Sequence, residues 1–500
     1  MRHEIRIGDA NEARRHNRFE SRVSRKTVFL FLGILLFGVL IALPPPSGMP
    51  AAGWRVAAVV ALMAAWWVGE AIPVPVTALV PVILFPLLGV STLKAAAAPY
   101  ANPLIFLFLG GFVIALAFER WHLHRRVAVA VLIRVGTRPA PLIGGFMAAT
   151  AALSMWVSNT ATTVMMLPIG LSVIGLLHRG GDNPGAEDRN FAIAILLGIA
   201  YAASIGGLGT LVGTPPNAFL AAYFGEKLGI TVGFGQWLLI GLPAVAVLLP
   251  IAWVMLTKLV YPVGDAPIED ADAILRRERA EIGPITGEEV RVALVFAATG
   301  LAWVFRPAIN GAFPGLGLTD PAIALIGAVA LFVIPARLEQ GTFLMNWDWA
   351  KRLPWGTLLL FGGGLSLASA MGDSGLAAWI SEAFSAHQTL PLPVLLLIFV
   401  ATVIFLTEIT SNTATAAVFL PVVVAFAAGL GVDPLSFAVP VALAASCAFM
   451  MPVATPPNAI VFGSGHVTIP DMVRAGFWLN LIAIAVIAGG GALAVGVFGD

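Results

Sequence analysis

The sequence predicts an all-α polytopic membrane protein with about 11 transmembrane helices and two re-entrant hairpins, organised as an inverted repeat. Three observations predict it. The first is composition: of 500 residues, 59% are hydrophobic and 11% are charged, and the mean hydropathy is +0.93. Soluble domains carry about 25% charged residues, so this chain cannot cover a water-facing surface and belongs in a bilayer. The second is repetition. Ser158-Asn159-Thr160-Ala161-Thr162 returns as Ser411-Asn412-Thr413-Ala414-Thr415 at an offset of 253, and Thr214-Pro215-Pro216-Asn217-Ala218 returns as Thr455-Pro456-Pro457-Asn458-Ala459 at an offset of 241. The third is a one-sided distribution of Lys and Arg.

Apolar windows place spans near 27–43, 53–69, 72–90, 103–119, 191–223, 235–257, 290–306, 319–336, 356–372, 433–463 and 475–498. Residues 1–26 read as a cytoplasmic tail, too charged and Arg-rich for a signal peptide, and the apolar run behind them has no cleavage site before Pro44, so it is read as a retained first helix. Segments 141–177 and 392–428 each carry a Ser-Asn-Thr word at their centre. A full span needs about 20 apolar residues, so a polar centre reads as the tip of a re-entrant hairpin. The windows holding Thr-Pro-Pro-Asn exceed 30 residues. They read as helices broken near mid-membrane, because consecutive prolines remove backbone donors and clash with the preceding turn.

With the N-terminus in the cytoplasm, 24 of the 28 Lys and Arg residues fall inside, and only Arg55, Lys94, Lys227 and Arg306 fall outside. This topology puts the C-terminus outside. Five spans separate the two Ser-Asn-Thr words, so the second hairpin enters from the opposite face. The repeat is therefore inverted, as in many secondary transporters. Phe108 with Phe361, Gly110-Gly111 with Gly363-Gly364, Ala115 with Ala368 and Leu167-Pro168 with Leu420-Pro421 share the offset of 253.

A helix that leaves a mid-membrane tip presents free N–H groups and about +0.5 of a charge, which attract an anion. A helix that enters presents free carbonyls, which suit a small hard cation such as Na⁺. Ser, Asn and Thr side chains supply oxygens for the cation and donors for the anion. Neither hairpin segment contains Lys or Arg. The pattern implies an anion carried together with cations that offset its charge. The plain alternative is that such residues bond to the i−4 carbonyl or cap a kink.

The words LSMWVSNTATTVMMLPIG (153–170), YAASIGGLGTLVGTPPNA (201–218), LTEITSNTATAAVFLPV (406–422) and MPVATPPNAIVFGSG (451–465) resemble the divalent anion:sodium symporter family, also called the solute carrier 13 family. WVGEAIPVPVTALVPV (67–82) and PWGTLLLFGGGLSLA (354–368) fit the same pattern, and the resemblance runs from about residue 27 to the C-terminus. It implies a bacterial di- or tricarboxylate transporter of the cytoplasmic (inner) membrane, acting as a homodimer. It also implies scaffold helices at 27–140 and 290–391, a loop at 258–289, and a transport domain of 141–257 and 392–500 that slides as an elevator. Carried over by motif, one sodium site would use Ser154, Ser158 and Asn159 with backbone near Gly213. The other would use Thr407, Thr410 and Asn412 with backbone near Ala454. The substrate carboxylates would meet Ser158-Asn159-Thr160 and Ser411-Asn412-Thr413, with Thr214 and Thr455 alongside. Some members exchange substrates without sodium; the hydroxyls of Ser154 and Thr407, four residues before each word, favour symport.

Other residues admit two readings. Glu408 is either a proton relay or a structural group bonded within its hairpin. Glu70 reads as a helix-end feature. His122 and His124 are either metal ligands or part of an interfacial amphipathic helix anchored by Trp121. Run 265–291 reads as a solvated cytoplasmic loop. Gly110-Gly111 and Gly362-Gly363-Gly364 read as close helix contacts. The net charge of +1 and the lack of a basic groove with interleaved aromatics exclude a nucleic-acid partner. Cys447 is the only cysteine, so no internal disulfide forms. No HExxH occurs, and no GxSxG with a His partner, so an intramembrane enzyme is not expected. The leading expectation is sodium-coupled import of C4-dicarboxylates such as succinate, malate or fumarate. The alternatives are a dicarboxylate exchanger, a proton-coupled carrier, sulfate or citrate as substrate, or an anion channel.

Overall fold

The computed structural model describes residues 25–177, 185–385 and 390–498. Most of the tail at 1–26, Arg179 and the extreme C-terminus lie outside the described residues. Within them, ten helices are long and apolar enough to cross a membrane.

The helices follow the apolar windows closely. Arg25–Ala42, Ala51–Gly69, Pro103–Arg120, Phe234–Val254, Gly287–Ala312, Asp320–Val333, Trp355–Asp373 and Ile469–Phe498 each cover a predicted span. The hairpins appear as Pro139–Ser154 with Asn159–Leu177, and as Leu392–Thr407 with Asn412–Gly429. Both long windows are broken at the Thr-Pro-Pro word. Ala186–Gly207 is followed by irregular residues 208–214 and then Pro215–Lys227, and Leu435–Ala444 by 445–455 and then Pro456–Gly463.

Two expectations need correction. Window 72–90 is not one helix but two short ones, Val74–Thr77 and Val80–Leu87. Pro75 and Pro81 sit in their first turns and Pro86 lies inside the second, so no continuous i→i−4 ladder can form. The 258–289 stretch is not a plain loop. It holds a helix, Ala271–Ile282, carrying the i,i+4 pairs Asp272–Arg276 (2.8 Å) and Arg277–Glu281 (3.3 Å). Its charge made it look like solvated coil, whereas Arg125 on the neighbouring Leu123–Val135 helix grips Glu278 at 2.6 Å. Glu70 does end a helix, in the left-handed region at φ 47°.

The repeat symmetry is physical. Phe108 and Phe361, related by the 253 offset, meet edge to face with ring centroids 5.2 Å apart. A residue that packs against its own counterpart marks the pseudo-twofold axis. The paired glycines keep the helices close. A Cβ on Gly110 would lie 2.6 Å from the Ala324 carbonyl carbon, and one on Gly363 would strike the Ala78 backbone. Gly110→Leu should therefore destabilise the fold by about 1–3 kcal/mol through overpacking. The thermal unfolding midpoint in detergent is the check, with Gly175→Leu, where nothing lies within 4 Å, as the neutral control.

Candidate functional site

Each hairpin turns because its sequence ends one helix and starts another. Pro139–Ser154 stops at a four-residue turn, and Ser158 begins the next helix by accepting a hydrogen bond from the Ala161 N–H at 3.2 Å. Leu392–Thr407 stops in the same way, and Asn412–Gly429 starts after an extended Ser411 (φ −67°, ψ 131°). The N-termini of Asn159–Leu177, Asn412–Gly429, Pro215–Lys227 and Pro456–Gly463 all border one cavity of about 550 Å³. Four positive helix ends therefore face one space. The proline-led pair contributes dipole but few donors, since Pro has no N–H.

All eight residues expected at the substrate line this cavity. Ser158, Asn159, Thr160 and Thr214 come from one half, and Ser411, Asn412, Thr413 and Thr455 from the other. Gly213 and Ala454, expected to lend backbone to the cations, line it as well. Among the lining residues none is Lys or Arg, and Glu70 is the sole charged one.

Behind the tips lie two matching oxygen clusters. Ser154 is fully buried, with its hydroxyl 2.6 Å from Asn159 Oδ1 and 2.7 Å from the Ala203 carbonyl. Thr407 is fully buried too, with its hydroxyl 2.7 Å from Asn412 Oδ1 and 3.1 Å from the Ala445 carbonyl. One hydroxyl hydrogen cannot serve two acceptors at once. Each cluster thus gathers three oxygens around a single proton, a donor set suited to a hard cation. On the first side the backbone must come close: a Cβ on Gly207 would lie 3.0 Å from Asn159 Oδ1 and 3.1 Å from the Gly213 carbonyl. The Thr410 side chain does not join the second cluster. Its hydroxyl bonds to the Leu406 carbonyl (2.9 Å) and the Thr415 hydroxyl (2.7 Å), bracing the turn.

Three functional residues were not assigned to the site from sequence. The Asn217 amide donates to the carbonyls of Thr210 (2.8 Å) and Gly207 (3.2 Å), and the Asn458 amide to those of Met451 (3.0 Å) and Ala448 (3.2 Å). All three correspondences share the offset of 241, so each Asn clamps its own break in the same manner. Both Oδ1 atoms are buried without a hydrogen-bond partner among the described residues. The signal was present, since Asn closes each Thr-Pro-Pro-Asn word. The third is Asn480, which donates to Glu408 at 2.7 Å.

Glu408 itself is buried and accepts from the backbone N–H groups of Phe449 (2.7 Å), Met450 (2.9 Å) and Met451 (2.9 Å). These donors give Glu408 a structural role, but not the expected bonding within its own hairpin: all its partners lie at the second break and on the Ile469–Phe498 helix. The first half has Met155 at the matching position, and there the Thr210 hydroxyl bonds to the Met155 carbonyl. The halves also touch directly, through Thr214 and Ser446 hydroxyls 3.0 Å apart. His124 is buried, with Nδ1 3.2 Å from the Phe118 carbonyl; burial lowers its pKa and keeps the ring neutral.

Residues 24–496 match the family described as the sodium:sulfate symporter transmembrane region. A protein of Staphylococcus saprophyticus, named sodium-dependent dicarboxylate transporter SdcS, is 41% identical over 464 residues, covering 92% of this chain and 89% of that one. Its namesake in Staphylococcus aureus (strain USA300) is 38% identical over 486 residues, covering 95% and 94%. Among solved structures, the Alcanivorax borkumensis YdaH transporter, described as having an unusual topology, superposes with a TM-score of 0.58 at 18% identity, covering 95% of this chain and 98% of that one. That likeness concerns the fold.

The clamps predict a specific phenotype. Asn217→Ala or Asn458→Ala should leave the protein folded but raise the sodium concentration needed for half-maximal ligand binding by several-fold, because the freed carbonyls no longer hold their positions. Calorimetric titration with sodium is the check, and an unchanged midpoint in both variants would remove the clamp from the account.

Proposed function

The chain belongs to the divalent anion:sodium symporter family, and we propose that it is a sodium-coupled symporter of C4-dicarboxylates such as succinate, malate or fumarate. One observation carries this reading: two mirror-related Ser/Thr–Asn–carbonyl clusters flank a cavity faced by four helix N-termini and bare of Lys and Arg. The names of the staphylococcal relatives support both sodium and dicarboxylate.

The coupling follows from charge. A dicarboxylate brings two negative charges into a site without a basic side chain, and desolvating them uncompensated costs several kcal/mol or more. A sodium ion at each oxygen cluster offsets one charge. Each ion draws the carbonyl oxygen of Asn159 or Asn412 toward itself, which leaves the amide N–H groups for the substrate carboxylates. Hydroxyls of Ser158, Thr160, Thr413, Thr214 and Thr455, with first-turn N–H groups at Ser411-Asn412, complete the anion's shell. Without the cations, the clustered oxygens repel the anion; without the anion, the cations lack their counter-charge.

Glu408 favours sodium over protons as the coupling ion. Four N–H donors already engage its oxygens, which fixes the group in place instead of leaving it free to shuttle a proton. The reading includes a homodimer in the bacterial cytoplasmic membrane, with the N-terminus inside. Its moving part is 141–257 with 392–500, sliding against scaffold segments 27–140 and 290–391. The cavity mixes both: the tips belong to the moving part, while Glu70, Phe112, Pro354 and Thr357 belong to the scaffold. A boundary of that kind is where an elevator would expose and occlude its cargo.

Succinate uptake into proteoliposomes should fall at least about tenfold when choline replaces sodium outside, matching the loss of about 1.4 kcal/mol or more of cation-dependent affinity. Uptake indifferent to sodium would refute the coupling. In the same assay Asn159→Ala and Asn412→Ala should each abolish transport while the protein still folds, because each removes a ligand from a charged centre, worth about 1.5–3 kcal/mol. Thr162→Ala and Thr415→Ala should be milder: the Thr162 hydroxyl has no partner among the described residues, and Thr415 only braces the turn.

A further inference from the structure

A second hollow, of about 380 Å³, lies between the Leu123–Val135 and Ala271–Ile282 helices. Its walls are Val129, Ala130, Ile133 and Ile282, and three arginines, Arg126, Arg134 and Arg279, share the lining. No acidic residue does. Arg126, Val129, Ala130, Ile133 and Arg134 fall on one helical stripe, at spacings of three, four, seven and eight.

The neighbouring acids are already engaged. Glu278 and Glu281 pair with Arg125 at 2.6 and 3.2 Å, and Glu289 pairs with Arg126 at 3.0 Å. Asp272 pairs with Arg276. Among the described residues, Arg134 reaches the Ala130 carbonyl and neither Arg134 nor Arg279 has an ion pair. Both side chains are exposed. The hollow therefore joins uncompensated guanidinium groups to an apolar wall. It stands where the chain leaves the Pro103–Arg120 span and re-enters as the first hairpin, a connection whose arginines the positive-inside pattern assigns to the cytoplasmic side of the bilayer.

The geometry points to a binding site for an anionic phospholipid: the phosphodiester would sit between Arg134 and Arg279, with the glycerol and upper acyl chain against Val129, Ile133 and Ile282. Guanidinium forks match phosphate oxygens, and Arg clusters at a membrane surface attract anionic headgroups. The apolar wall distinguishes this ligand from a water-soluble phosphate, which would gain nothing from it. The site shares no residue with the central cavity, so its test does not depend on the transport reading.

The test uses the full chain in nanodiscs made of phosphatidylcholine alone or with added phosphatidylglycerol. Native mass spectrometry should show phosphatidylglycerol retained on the wild type after detergent release. Retention should fall at least fivefold in the Arg134→Gln/Arg279→Gln double variant, whose thermal midpoint in phosphatidylcholine should equal that of the wild type. Arg276→Gln/Arg277→Gln, two exposed arginines on the same helix but outside the hollow, should retain lipid normally. Equal retention in both double variants would overturn the site. So would displacement of the lipid by millimolar glycerol 3-phosphate, which would assign the hollow to a soluble phosphate. If the first variant fails to fold, Ile133→Asp must reduce retention by itself, and unchanged retention there overturns the site equally.

Discussion

Backbone that leaves a helix inside hydrocarbon must find partners within the protein, because lipid offers none. Among the described residues, this chain interrupts apolar helical segments at two hairpin turns and two Thr-Pro-Pro breaks. Everything else about the site follows from how those interruptions are satisfied. The Asn217 and Asn458 amides hold carbonyls of the breaks, and the Ser154 and Thr407 hydroxyls reach across to carbonyls of the adjoining helices. The satisfaction is deliberately incomplete. Each hydroxyl faces two acceptors, and both clamp Oδ1 atoms stay bare. In the proposed reading, the leftover acceptors would take the cation and the leftover helix N-termini the anion. A fold stabilised by its own polar groups alone would have no reason to bind either.

The two halves solve the same problem with different residues. In the second half a carboxylate, Glu408, gathers three consecutive backbone N–H groups and the Asn480 amide; in the first, Met155 stands at the matching position and the Thr210 hydroxyl does the bonding through backbone. The Thr214–Ser446 contact likewise has no mirror image among the described residues, where Thr455 instead caps its own helix and the Ser204 hydroxyl has no partner. A buried carboxyl group therefore lies close behind the Thr407–Asn412 oxygen cluster and has no counterpart behind the Ser154–Asn159 one. Symmetry is kept at the Phe108–Phe361 contact, in the Asn clamps and in the two hydroxyl–Asn–carbonyl clusters.

Much of this was legible in the sequence, and the reason is physical. A polar word in hydrocarbon is expensive, so Ser158-Asn159-Thr160 and its repeat could be read as a site before any geometry was known. The same cost made the double-proline breaks visible. What escaped was anything that depends on partners distant in sequence. Asn217 and Asn458 were seen as letters of a motif, not as clamps, because their acceptors are set by the path of the break. Asn480 sits alone in an apolar helix, and nothing local ties it to Glu408. The Ala271–Ile282 helix was read as loop because its stabilising partner, Arg125, lies some 150 residues away. Window 72–90 was long enough for a span, and its four prolines were outweighed by its hydropathy.

The central claim is that one cavity, shared by both halves, closes around anion and cations together. Val212 and Val453 line it and are related by the offset of 241, and the native Cys447 is buried. Maleimide labelling of Val212→Cys and Val453→Cys, each in the otherwise native chain, measures that sharing most directly. The account predicts that sodium with succinate protects both positions in parallel, while succinate in choline protects neither. Protection of one position alone, or equal protection without sodium, would contradict it.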